Sequence, residues 1–132
     1  MFLRHNQFTL LIFIVILILC GLPEMEVPKS ELEHLDKGVH AVLFALFSFC
    51  MAVGFTKQHQ SSFISLNVYS ITIICSSLYG IFIELFQGFV LVDRAFEWLD
   101  IAADIFGVFI GVFSFYSIVG KGVKRIKVIS PK

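Results

Sequence analysis

The sequence predicts an all-α membrane protein, a bundle of four transmembrane helices with both termini cytoplasmic. Three observations carry that expectation. The 132 residues are 58% hydrophobic and 15% charged, whereas a soluble domain is nearer half apolar and a quarter charged; mean hydropathy is +0.90. The apolar residues gather into four runs, at about 8–22, 37–55, 63–86 and 98–119, of the length that crosses or nearly crosses a bilayer. The formal net charge is zero, yet the charges are segregated. From Gly120 onward there are only bases (Lys121, Lys124, Arg125, Lys127, Lys132), and between Pro23 and Asp36 mostly acids (Glu24, Glu26, Glu31, Glu33, Asp36) with Lys29. The chain is short enough to be one domain, 1–132.

The first run, Phe8 to Leu22, follows Arg4 and stops at Pro23. Its fifteen residues rise about 22 Å as a helix, short of the roughly 30 Å hydrocarbon core. A signal peptide has an apolar core of about this length. No small-x-small cleavage site follows, and Leu19 before Cys20 is too large for a good lipoprotein site, so an uncleaved first helix is expected. Pro23 to Leu35 reads as a polar, acidic link, with Pro28-Lys29-Ser30 opening a short amphipathic turn at the membrane surface.

The second span, Asp36 to Phe55, has a polar first turn (Asp36, Lys37, His40) and an apolar remainder. Asp36, His40 and Phe47 share a helix face, with Phe44 at its edge. A loop with Lys57 and His59 leads to the third span, which carries Ser65, Asn67, Ser70, Thr72, Ser76, Ser77 and Gly80, residues that let membrane helices approach and hydrogen-bond. This span continues through Glu84 to Gln87. Gly88 to Phe96 reads as a connection, with Phe89-Val90-Leu91-Val92 apolar for a loop and placed in the interface or dipping into the protein. Trp98, suited to the headgroup belt, opens the fourth span, and Gly107 with Gly111 forms a small-xxx-small pair for close packing in cis or in a homo-oligomer. Arg4, Lys57 and the basic tail mark the cytoplasmic side by the positive-inside rule, leaving the acidic first loop and the Asp93-Arg94-Glu97 connection outside.

Chemistry concentrates between Gly80 and Gly111. Glu97, Asp100, Asp104, Gly107 and Gly111 recur at three- and four-residue steps and fall within roughly 80° of one another on a helix. Glu84 and Gln87 share a face of the preceding helix. The four-span topology brings these residues to one level with Asp36, Lys37, His40 and Arg94, at the outer leaflet. A structural staple of ion pairs should approach neutrality, but Asp36, Glu84, Glu97, Asp100 and Asp104 outnumber Lys37 and Arg94. The surplus points to a pocket, since ionisable residues within a membrane default to function.

Several chemistries fit. His40 with Asp36 one turn earlier forms an oriented base, and Glu84 is placed as acid or base away from bulk water. Catalytic candidates are therefore His40 and Glu84. Arg94 and Lys37 suit a phosphate or carboxylate. Asp36, His40, Glu84, Asp100 and Asp104 have donors for a divalent cation, but their spacing is no metal signature, and neither a metal nor a cofactor is expected. Cys20, Cys50 and Cys75 are widely spaced within apolar runs and read as small hydrophobes, with no disulfide or zinc site. The basic tail reads as a topology signal, with no nucleic-acid partner.

Asp36-Lys37-x-x-His40, Glu84-x-x-Gln87, Arg94, and Asp100 leading to Gly107 and Gly111 resemble, in order and spacing, the VanZ-like family, named for a teicoplanin-resistance protein. The resemblance covers about residues 36–113. It implies a small multi-pass protein of the bacterial cytoplasmic membrane, linked to envelope precursors or lipoglycopeptide tolerance. It supplies no established reaction. The family usually has Asn where this chain has Asp104, and a carboxylate cannot donate the hydrogen bond of an amide unless protonated.

Three functions stay open. The leading one is binding of an envelope lipid or lipid-linked headgroup by Asp36, Lys37, His40, Glu84, Gln87, Arg94, Asp100 and Asp104. The second is a membrane-embedded hydrolase or transferase acting on a lipid-linked substrate. The third is a structural or partner-binding subunit that uses Gly107 and Gly111.

Overall fold

The computed structural model describes residues 2–21, 29–57, 67–91 and 96–120. Five α-helices account for nearly all of them: a single turn α1 (Phe2–His5), then α2 (Gln7–Gly21), α3 (Lys29–Thr56), α4 (Val68–Val90) and α5 (Trp98–Phe115), the last continued by a π-helical turn, Tyr116–Gly120. Three segments are long and apolar enough to cross a membrane: Leu35–Thr56, Val68–Val90 and Trp98–Gly120. The apolar α2 is shorter, as its run of fifteen residues dictates. The all-helical architecture expected from the sequence, with four apolar helices, is present.

Two boundaries differ from expectation. The helix of the second span starts at Lys29, so the end of the acidic link is helical and continuous with the span. Its 28 residues rise about 42 Å, more than a bilayer core needs. Helix α4 extends through Gly88 to Val90 and stops at Leu91, which takes an extended conformation. The apolar Phe89 and Val90 are thus the last turn of a helix rather than an interfacial loop, and both are exposed.

Each helix buries the stripe that its pattern prescribes. On α3, His40, Phe44, Phe47, Met51 and Phe55 are buried at steps of three and four. On α4 the stripe is Val68, Thr72, Ser76, Tyr79, Ile83 and Gln87, widened by Gly80 and Glu84. On α5 it is Asp100, Asp104, Gly107, Val108, Gly111, Val112 and Phe115. The outward faces carry Val42, Leu46, Leu78, Phe82, Phe106, Phe109 and Phe113, all exposed. Large apolar residues therefore face out, while Ser48, Thr72, Ser76, Glu84, Gln87 and Asp104 lie inside. Hydrocarbon offers no hydrogen bonds, so that is the favourable arrangement in lipid.

The most extensive helix contact is between α3 and α5, and two glycines permit it. A Cβ at Gly107 would collide with the Ala41 carbonyl, and one at Gly111 with the Ala45 carbonyl and Ser48 Oγ. The small-xxx-small pair is thus used within one chain, where α5 lies against the backbone of α3. Ser48 Oγ bridges the seam, 3.2 Å from the carbonyl oxygens of both Ala45 and Val108. Helix α2 is held by Tyr79 of α4. Its hydroxyl donates to the Phe13 carbonyl at 2.8 Å, and its ring stacks on Phe13 with centroids 4.3 Å apart.

Candidate functional site

The end of α2, the first membrane turns of α3, the last turns of α4 and the start of α5 meet at one end of the bundle. Their antiparallel succession brings together residues far apart in sequence. At the centre, His40 Nδ1 lies 3.0 Å from Asp104 Oδ1, and both residues are buried, at 3% and 0% exposure. Read as a carboxylate, Asp104 accepts the hydrogen bond, which puts the proton on Nδ1 and turns Nε2 to other uses. Here Asp104 needs no amide-like donation, because its partner is the donor. Its second oxygen, Oδ2, is buried with no hydrogen-bond partner among the described residues. Gly80 makes room for it, since a Cβ there would stand 2.9 Å from Oδ2.

Glu84 lies one turn beyond Gly80 on the same face of α4 and is completely buried. Its Oε2 accepts the backbone N–H of Glu97 at 3.3 Å. One of the N–H groups at the start of α5, which helical bonding leaves unsatisfied, is thereby capped from a neighbouring helix. Glu84 Oε1 is buried and has no hydrogen-bond partner among the described residues. Gln87, a turn further on, donates from Nε2 to the Cys20 carbonyl at 3.1 Å, satisfying a backbone acceptor in the last turn of α2. Cys20 also presents its side chain to His40.

The rim is charged. Lys37 Nζ lies 3.1 Å from Glu97 Oε2 and 3.6 Å from Asp100 Oδ1. Asp36 is exposed and approaches His40 and Asp100. One ligand-type atom from each of these three lies within 4.8 Å of the others, and the same holds for His40, Glu84 and Asp104. The two groups share His40, so five potential donors, Asp36, His40, Glu84, Asp100 and Asp104, form one connected set.

The structure thus brings together Asp36, Lys37, His40, Glu84, Gln87, Asp100 and Asp104. Gly107 and Gly111 sit below them in the α3–α5 seam. Arg94 and the acids Glu24 and Glu26 lie outside the described residues. Glu97, a member of the sequence stripe, is half-exposed and pairs with Lys37. His40 is partnered by Asp104 across the seam; Asp36, one turn earlier on the same helix, has a carboxylate oxygen within 4.8 Å of a His40 ring nitrogen. Two participants were invisible to sequence reasoning. The Cys20 carbonyl is a backbone group and carries no side-chain signal. Tyr79 looked like one more aromatic, although its place beside Gly80 on the polar face of α4 was a usable clue.

No curated protein matches the chain, and neither does any solved structure. The family model described as VanZ/LLP1 matches residues 4–120, a stretch that takes in every helix described above except the first residues of α1. With the Asp36-Lys37-x-x-His40 and Glu84-x-x-Gln87 elements converging on one cluster, the chain belongs to the VanZ/LLP1 family.

Proposed function

We propose that this multi-pass membrane protein binds an envelope lipid or lipid-linked headgroup in the polar cluster, at the outer leaflet of the cytoplasmic membrane. One observation carries the reading. Glu84 and Asp104 each bury a carboxylate oxygen that no described group satisfies, at one end of a bundle whose outer face is apolar. A buried acceptor without a donor costs about 1–3 kcal/mol. A headgroup bearing amine or hydroxyl donors would offset that cost. Lys37, and Arg94 on the adjoining connection, supply cations for a phosphate. The orientation follows from the basic tail and Lys57 by the positive-inside rule. Through such binding the protein would influence lipoglycopeptide tolerance, the property for which the family is named.

The test is headgroup binding by the protein in nanodiscs containing envelope lipids. Arg94→Ala combined with Glu84→Gln is expected to lower affinity at least tenfold. Unchanged binding by the double variant removes the proposal.

A second reading is favoured by the His40–Asp104 pair. An imidazole oriented by a buried carboxylate, with Glu84 in the same cluster, is a general-base arrangement, suited to hydrolysis of or transfer from a lipid-linked substrate. Labelled envelope lipids incubated with the purified protein test it. Turnover abolished by His40→Ala supports catalysis, and absence of product across pH and added divalent cations counts against it.

A further inference from the structure

We infer that His40, Glu84 and Asp104 hold a divalent transition-metal cation. The three residues come from three different helices, and their ligand atoms lie within 4.8 Å of one another. Ligands bound at about 2.0–2.2 Å stand roughly 3–4 Å apart around a cation, so small side-chain rotations suffice to close the site.

Acidic groups near one another are common, and their proximity alone would say little. The burial of these groups and the state of their oxygens say more. Glu84 and Asp104 are each at 0% exposure, and each has one oxygen without a hydrogen-bond partner among the described residues. Gly80 clears the space beside Asp104 Oδ2 on the α4 face that also carries Glu84, so the orphan oxygen of Asp104 lies towards the helix bearing Glu84. Two carboxylates and a dication sum to zero, the formal charge that a fully buried site holds most cheaply. The neutral imidazole adds a ligand without adding charge. His40 Nδ1 and Asp104 Oδ1, 3.0 Å apart, stand at the spacing of two ligands on one cation, so Nδ1 is the ligating nitrogen and the imidazole proton moves to Nε2 when the cation takes its place. Asp36 and Asp100, grouped around the same imidazole, stand at the rim, where Asp100 faces Lys37.

The donor set selects the ion. One imidazole with carboxylates suits zinc or manganese. Magnesium prefers an oxygen-only shell and sheds its water reluctantly. A bound cation would also change what the cluster attracts. The acids become its ligands, and a phosphate on a headgroup becomes the group drawn in. Only this last step rests on the headgroup reading proposed above; metal binding needs no lipid.

The experiment uses the full chain purified in detergent without envelope lipid, stripped with EDTA, then titrated with Zn²⁺ or Mn²⁺ and with Mg²⁺ as comparison. The expected result is one zinc or manganese per chain by elemental analysis and by loss of the free Mn²⁺ spin-resonance signal. A raised Tm that EDTA reverses is expected as well. Glu84→Gln is expected to weaken the affinity at least tenfold, and Cys75→Ser, at an exposed position, to leave it unchanged. Circular dichroism confirms that each variant is folded. Should Glu84→Gln fail to fold, His40→Gln takes its place. The wild-type titration decides by itself as well: no uptake of either ion up to millimolar concentration, with a Tm indifferent to EDTA, overturns the inference. So does equal affinity in wild type and a folded Glu84→Gln. Metal uptake without headgroup binding would overturn the lipid proposal alone, and headgroup binding without metal uptake would overturn the cation alone.

Discussion

Replacing Gly107 by alanine tests how the α3–α5 seam holds the cluster together. The added Cβ would stand 2.9 Å from the Ala41 carbonyl carbon and 3.0 Å from its Cα, where 3.4–4 Å is ordinary contact. Both obstacles are backbone, so no side chain can swing away, and the helices must part by about 0.5 Å or more in an interior that leaves little slack. His40 directly precedes Ala41, and Asp104 is one turn before Gly107. The opening therefore falls on the His40–Asp104 contact, which starts at 3.0 Å. Overpacking costs about 1–3 kcal/mol and a weakened charged hydrogen bond about 1.5–3 kcal/mol, against about 0.5–1 kcal/mol recovered by removing a helical glycine. The net expectation is a loss of about 2–5 kcal/mol. Gly38→Ala is the control, because a Cβ there meets nothing within 4 Å, and it should gain about 0.5–1 kcal/mol. Reversible unfolding of the purified protein in mixed micelles, followed by circular dichroism, measures both. If Gly107→Ala is as stable as Gly38→Ala, the seam is not as tight as argued and the reasoning fails.

Other substitutions probe separate contacts. Gln87→Leu leaves the Cys20 carbonyl without its donor and should cost about 1–3 kcal/mol in the same unfolding assay. Tyr79→Phe removes the hydroxyl donated to Phe13 but keeps the ring stack, so a smaller loss of about 0.5–1.5 kcal/mol is expected; a loss as large as that of Gln87→Leu would refute that ranking. Thr72→Val removes a buried hydroxyl that has no partner among the described residues and should raise stability by up to about 1–2 kcal/mol. Lys37→Met breaks ion pairs on the rim, where such pairs contribute only about 0–1 kcal/mol. It should barely move stability while lowering affinity for an anionic headgroup in nanodiscs.

Periodicity told which face of each helix turns inward. The stripe Asp100, Asp104, Gly107 and Gly111 is buried as one surface, and His40 lies with Phe44 and Phe47 on the buried face of α3. Alternating helix direction also put the polar ends at a common level. The sequence did not say which inward residues touch, because that depends on the order of helices around the bundle and on their axial offset. Hence Asp36, four residues from His40, looked like its partner, whereas Asp104, 64 residues away, holds the closest contact. Backbone acceptors such as the Cys20 carbonyl have no residue type to betray them. The helix ends went astray for a related reason. Acidic residues before Asp36 read as a link, although Glu and Lys are good helix formers, and apolar Phe89 and Val90 sit in a final turn that polarity alone could not place.

The buried His40–Asp104 pair also bears on how the chain is made. An aspartate at the centre of a lone membrane helix opposes insertion by about 2.5–3.5 kcal/mol, and Asp104, in the second turn of α5, meets part of that cost. By the time α5 leaves the ribosome, α3 has already been synthesised, so an imidazole is waiting for the incoming carboxylate. A circular permutant that places α3 last would send α5 into lipid before its histidine exists, and that order of synthesis should leave more of the chain stranded outside the bilayer.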